Sequence, residues 1–161
     1  MIVSLTCNSV YYPSFDTENP PVKVPEPIIL AAVKVKLCDQ IDLASIAARS
    51  NIVDDGSDPE VSRQRYQEAV NYLQTATPND QDYPFLYIEA GRLDENIEQF
   101  ATEVITQYEA EQVALAKIES DRAFGKKQVS AAKDQQSAIF AETQAKTQID
   151  EVVNDYKTDT D

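Results

Sequence analysis

From Leu30 onward the apolar residues recur at helical spacing, as Leu30, Val33, Leu37 and Ile41, and the stripe continues through Leu43 and Ile46. That period places one apolar stripe along a helix. Proline suits a first helical turn, so Pro27 and the stripe together predict a helix over about 27–48. Within it VKVKL, Val33 to Leu37, also alternates as a strand does, which makes a short strand the competing prediction. The preceding alanine pair and the continuing stripe favour helix. Downstream, a turn is predicted at Asp54 to Gly56. SDPE then sets Ser57 and Glu60 at capping-box spacing with Pro59 in the first turn. A second helix follows, with Val61, Tyr66, Ala69, Val70 and Leu73 as its buried face, and TATPNDQDYPF ends it with turn residues and two prolines.

After Gly91 the chain has no proline, and from Arg92 to about Tyr156 its alanine, glutamate, glutamine, lysine and isoleucine favour helix. A continuous helix of that length would reach roughly 100 Å. Leu93, Ile97, Phe100, Val104, Tyr108, Leu115 and Ile118 form a seam with a period near 3.6, which favours packing onto a compact body over a dimeric coiled coil. The second half has Val129, Ile139 and Phe140 as its few large apolar residues and builds little core alone, so neighbouring copies are expected to order it. Glycine in a helix interior costs about 1 kcal/mol relative to alanine, so a bend or break is predicted at Gly125. The acidic, polar tail DYKTDTD is expected to fray.

Residues 1–26 combine SVYYPSF with Pro20, Pro21 and Pro25, a composition that resists helix and favours extended backbone. We read them as an arm whose Tyr11, Tyr12 and Phe15 lie on its own domain or on a neighbouring subunit. The predicted fold is all-α: a small helical bundle with an extended proline-rich N-terminal arm and a long C-terminal helix. Its parts are the arm (1–26), a helical body (27–120) and the distal helix with the acidic tail (121–161).

Charge and chemistry narrow the function. The 161 residues carry 28 Asp and Glu against 14 Lys and Arg, a net charge of −14, which repels nucleic acid and anionic membrane from most of the surface. Such a wall still suits a conduit for a polyanion, because it does not adhere. Histidine is absent, which removes Ser-His-Asp, Cys-His and histidine-zinc sites. Cys7 and Cys38 are too few and too far apart for a disulfide framework or thiolate metal site, and both are read as reduced thiols. MIVSLTCNSV lacks a leader pattern, so the protein is expected in the cytosol when made. The carboxylates Asp54, Asp55, Asp58 and Glu60 lack the alternating ligands and terminal bidentate glutamate of a calcium loop, and read as turn and cap. Asp94 and Glu98 are a carboxylate pair on a helix surface on which nothing converges. No enzyme, metal or cofactor is expected.

Arg122, Lys126, Lys127 and Lys133 are the one concentration of positive charge, and Arg122, Lys126 and Lys133 share a helix face. They form either a solvated face paired with Glu119 and nearby acids or a basic band that meets an acidic partner or the backbone of passing DNA. The expected partner interface is therefore Tyr11, Tyr12 and Phe15 on the arm, Arg122, Lys126, Lys127 and Lys133 in the band, and Ile139 and Phe140 beyond it.

The order of a proline-led apolar helix, PEPIILAAVKVKL, a polar loop and RQRYQEAVNYLQTATPND, with Arg65, Tyr66, Ala69 and Leu73 in an Arg-Tyr-x-x-Ala-x-x-x-Leu pattern, resembles the C-terminal half of small head-to-tail connector proteins of tailed bacteriophages, including the Mu-like connector family. The similarity covers about a third of the chain. Those connectors generally carry further helices ahead of the proline, where this chain has the short aromatic segment. The resemblance implies an all-helical virion subunit in the neck, present in the host cytoplasm before assembly. It further implies a homo-oligomeric ring, commonly of twelve copies, between portal and tail proteins and around the DNA channel, with no membrane partner. From a different class, a non-viral helical scaffold or regulatory binding protein with a coiled-coil-like arm fits the same pattern of elements. On either reading a chelator such as EDTA should leave the unfolding temperature unchanged, and a large drop in calorimetry would show that the chain folds around a metal.

Overall fold

The computed structural model describes residues 1–53 and 58–160. The order of elements is β1 (Ile2–Cys7), β2 (Val10–Asp16), α1 (Glu26–Val53), α2 (Pro59–Gln74), a 3-10 turn (Asp80–Asp82), α3 (Pro84–Leu93), α4 (Ile97–Ala131) and α5 (Gln135–Thr160). The described chain is thus mostly helical, as expected, with one two-stranded antiparallel sheet that was not. The predicted turn at Asp54 to Gly56 and the Ser57 half of the capping box lie outside the described residues.

The first correction concerns the arm. Residues 2–16 are a β-hairpin because Val3, Leu5 and Cys7 alternate toward a buried face while Ile2, Ser4 and Thr6 face out. Asn8 and Ser9 both adopt positive φ, 49° and 64°, and so form a two-residue connection between Cys7 and Val10. An extra residue on β2 opposite the Val3 to Leu5 step takes up Pro13, which cannot donate to a ladder, and Ser4 Oγ donates to the Pro13 carbonyl at 2.8 Å. Phe15 is fully buried.

Contacts divide the chain into two units. Unit 1 contains residues 1–49 and 117–153: the hairpin, most of α1, the second part of α4 and most of α5. Along α1 the residues Ile29, Val33, Leu37, Ile41, Ser45 and Ala48 are buried, mostly at intervals of four. VKVKL is therefore helical, and the stripe leaves out Leu43 and Ile46, which are 66% and 58% exposed. The hairpin is tied to α1 by Lys36 Nζ, which donates to the Ile2 carbonyl at 2.6 Å.

The expected single helix from Arg92 is three segments, and its stops are not at Gly125. Asp94 has φ 58°, a left-handed residue that ends α3. Asn96 Oδ1 then accepts from the Glu98 and Gln99 amides to start α4. The next stop falls after Ala131, and Asp134 Oδ1 accepts from the Ser137 amide at 2.7 Å to open α5. Gly125 sits inside α4 because α5 passes close by: a Cβ there would overlap the Ala145 Cβ and stand 3.4 Å from Ile41 Cδ1. Nor does the second half lack a body to pack on, since Val129, Ala138, Ala141, Ala145, Ile149, Val152 and Val153 are all buried. Small residues make this core through close approach rather than bulk.

Unit 2 contains residues 50–116 and 154–161. Its core is Ala69, Tyr72, Leu86, Ala90, Phe100, Ala101 and Val104, flanked by Tyr83, Ile97 and Ile105. Helix α2 starts with Asp58 as cap, its carboxylate accepting from the Glu60 amide at 2.8 Å, and Pro59 in the first turn. Tyr72, not Leu73, carries the buried stripe. It meets the Tyr83 ring edge-on at 5.2 Å, and its hydroxyl donates to Asp80 at 3.1 Å. Glu68 of α2 accepts from the Phe85 amide at 2.9 Å and so caps α3, a helix whose first two residues, Pro84 and Phe85, the sequence pattern assigns to turn.

Replacing Gly125 with alanine should destabilise the protein by about 1 to 3 kcal/mol through overpacking, although alanine is the better helix former by about 1 kcal/mol. Adding Ala145→Gly to that variant should restore most of the loss in urea unfolding. A Gly125→Ala chain as stable as the parent would mean that the two helices separate freely.

Candidate functional site

The four basic residues expected to act together part company in unit 1. Asp42, on α1, is held from two sides: its Oδ1 lies 2.8 Å from Arg122 Nε and its Oδ2 lies 2.6 Å from Lys126 Nζ, both on α4. Arg122 also donates to Glu119 at 2.6 Å, and Glu119 lies 3.9 Å from Arg49 of α1. Spacing explains the arrangement, because Arg122 and Lys126 are one turn apart and straddle a single carboxylate. The chain Arg49, Glu119, Arg122, Asp42, Lys126 therefore clamps α1 to α4. Lys34 completes it by donating to the Ser130 carbonyl at 2.8 Å, a cation on the last turn of α4.

Asp42 lies below the ordinary carboxylate range because Lys126 donates to its charged form, with Arg122 adding to the effect. The guanidinium of Arg122 is correspondingly held above its ordinary value by its bond to Asp42. Lys127 and Lys133 are exposed and make no ion pair among the described residues. The band thus separates into two clamped cations and two solvated ones.

The aromatic set separates in the same way. Phe15 is core and Tyr12 is half-buried with its ring edge-on to Phe15 at 6.0 Å, whereas Tyr11 is 63% exposed. On α5 Phe140 is 63% and Ile139 39% exposed, on the side away from the buried alanines. The exposed apolar residues that sequence reasoning misplaced are on α1, where Val35 is 64% exposed beside Leu43 and Ile46. Helix α1 carries apolar side chains off its buried stripe, Val35 and Leu43, interspersed with the charged residues Lys34, Lys36, Asp39 and Asp42. A cleft lined by Ile2, Val3, Ser4, Pro13, Ala32, Val35, Lys36 and Asp39 runs between the hairpin and this side of α1.

Cys7 is buried and Cys38 half-buried, both free thiols, and burial raises the Cys38 thiol above its ordinary value. Among the described residues no three His, Cys, Asp or Glu are placed to hold a metal ion. No helix among them is long and apolar enough to cross a membrane. Charge is unevenly divided: unit 1 carries ten Lys and Arg against eleven Asp and Glu, net −1, and unit 2 four against seventeen, net −13. Family models, curated proteins and solved structures offered no match to this chain.

Because Asp42 is held below its unfolded value, it stabilises the fold above about pH 4, and that contribution is lost as pH falls through the folded value. Asp42→Asn should therefore cost about 1 to 2 kcal/mol at pH 7, the scale of hydrogen bonds to charged groups that remain partly solvated. The difference from the parent should shrink as unfolding is measured toward pH 3. A gap that stays constant from pH 7 to pH 3 would remove the charge from the explanation.

Proposed function

We propose that the chain is a structural subunit of a tailed-bacteriophage neck, an adaptor that joins portal to tail in a ring around the DNA channel. The observation that carries an assembly role is α1. Its buried stripe binds it into unit 1, yet Val35 and Leu43 remain 64% and 66% exposed on another side. Exposed apolar side chains at intervals of two turns give a partner surface something to cover. The cover we assign to it is a neighbouring copy, because unit 1, at net −1, approaches its equal with little repulsion. Isolated exposed apolar residues are ordinary on monomers, but here the cleft beside the hairpin continues from Val35 and joins it to Ile2, Val3, Pro13 and Ala32, with Ser4, Lys36 and Asp39 among them.

The acidic half supports the same reading from another direction. At net −13 unit 2 presents packaged DNA with a surface that does not grip it. In this role catalysis is not required, and the clamp at Asp42 serves to keep the subunit rigid. The non-viral scaffold or regulatory protein draws on the same acidic unit, which suits a basic protein partner as well as a DNA channel. Native mass separates the two, because a ring adaptor is small when free and of high order on its portal, whereas the scaffold keeps one small stoichiometry.

Val35→Asp with Leu43→Asp should leave the circular dichroism and melting of the free subunit within about 0.5 kcal/mol of the parent, since both sites are exposed. The same pair should abolish rings on portal in electron micrographs. Rings that form normally with both aspartates in place would withdraw α1 as the contact between copies.

A further inference from the structure

We propose that the outer face of α3, in the acidic unit, is a docking site for a basic segment of another protein that carries an apolar anchor. The proposal rests on unit 2 alone and does not depend on the connector reading. Three features of α3 lead to it.

The first is a short apolar face at the surface. Leu86 and Ala90 turn inward and are buried, which leaves Tyr87 and Ile88, 50% and 51% exposed, on the opposite side with Gly91 between them at helical spacing. A Cβ built on Gly91 would meet nothing within 4 Å, so the ground beside the two side chains is open. Leu93, 58% exposed, is the last residue of the helix. Tyrosine suits such a place because its ring gives apolar area and its hydroxyl stays wet.

The second feature is charge. Between residues 80 and 98 the acids are Asp80, Asp82, Glu89, Asp94, Glu95 and Glu98, against Arg92 as the one base. Glu89 is already used by Arg65, whose guanidinium meets it with Nε at 3.0 Å from Oε2 and a terminal nitrogen donating to Oε1 at 3.0 Å. The others are exposed and lie just before and just after α3 in the chain, while Arg92 stands one turn from Ile88 on its side of the helix. The whole unit stands at net −13. A second copy of this unit is repelled from the face, as are nucleic acid and anionic lipid, and a Lys- or Arg-rich segment is drawn to it.

The third feature is rigidity. Glu68 caps the first turn of α3, Arg65 holds Glu89, and Leu86 lies in the core, so the face is presented in one arrangement before anything binds. Preorganisation of this kind reduces the ordering cost of association. The occupant chemistry that fits is thus an apolar side chain or two seated on Tyr87, Ile88 and the Gly91 ground, with cations on either flank for the acids.

The test is an unbiased selection of random 16-residue displayed peptides on the immobilised full chain, followed by titration of the enriched peptides. Enriched sequences should be net cationic with apolar residues three or four apart. Tyr87→Ser with Ile88→Ser should weaken them at least tenfold. Gly91→Gln fills the open ground with a better helix former and should weaken them similarly while leaving melting intact, so that misfolding of the double variant cannot imitate the result. Binding that survives both variants would reduce the effect to diffuse charge and overturn the proposal, as would enrichment with no cationic bias. Self-association in sedimentation that disappears with Tyr87→Ser and Ile88→Ser would give the face to a second copy and overturn it too.

Discussion

The close approach of α5 to α4 at Gly125 is the constraint from which the rest of unit 1 follows. A side chain at that position would overlap the Ala145 Cβ, and Ile41 of α1 stands on the same spot, so three helices meet where one of them has only backbone. Burial of alanine contributes little through area alone, since each CH2 removed from water is worth only about 0.8 kcal/mol. What Ala138, Ala141 and Ala145 provide is proximity: all three are buried, and Ala145 stands where a Cβ on Gly125 would fall. An alanine-rich helix that looks too weak to build a core does so by removing distance rather than by adding bulk.

With the helices that close, their charged flanks must also agree. Asp42 stands between α1 and α4 with a guanidinium on one oxygen and an ammonium on the other, at 2.8 and 2.6 Å. Its carboxylate is about a third exposed, which keeps the desolvation cost modest and makes the pairing favourable where a fully buried pair would barely break even. Two of the four clustered cations are thereby committed to the fold. Lys127 and Lys133 remain for solvent or for a partner, so a count of clustered basic residues overstates the positive charge available to DNA by a factor of about two.

The division of charge between the units shapes both functional readings. A near-neutral unit with apolar residues left on α1 opposes the approach of a like surface only weakly. A unit at net −13 repels its like and other polyanions and attracts cations. One chain of net −14 thus presents two surfaces with different rules for association.

The residues by themselves determined the helical character, the start of α1 near Pro27, Pro59 in the first turn of α2, and the buried positions Val33, Leu37, Ile41, Phe100 and Val104, while the cap of α2 is Asp58. They determined these because period and capping are local, written within one or two turns of chain. The hairpin was also locally written, in Val3, Leu5 and Cys7 and in the Asn8-Ser9 turn, and the prolines that follow obscured it. The caps at Asn96 and Asp134 were legible too, but the cost of glycine in a helix drew the break to Gly125 instead. Only the tertiary structure decided that Gly125 is a contact, that Phe15 is core, that Leu43 lies outward, and that Arg122 and Lys126 share Asp42. Each of these depends on what another segment, dozens of residues away, places beside it, and helical period ranks the faces of one helix without saying which neighbour each face will meet.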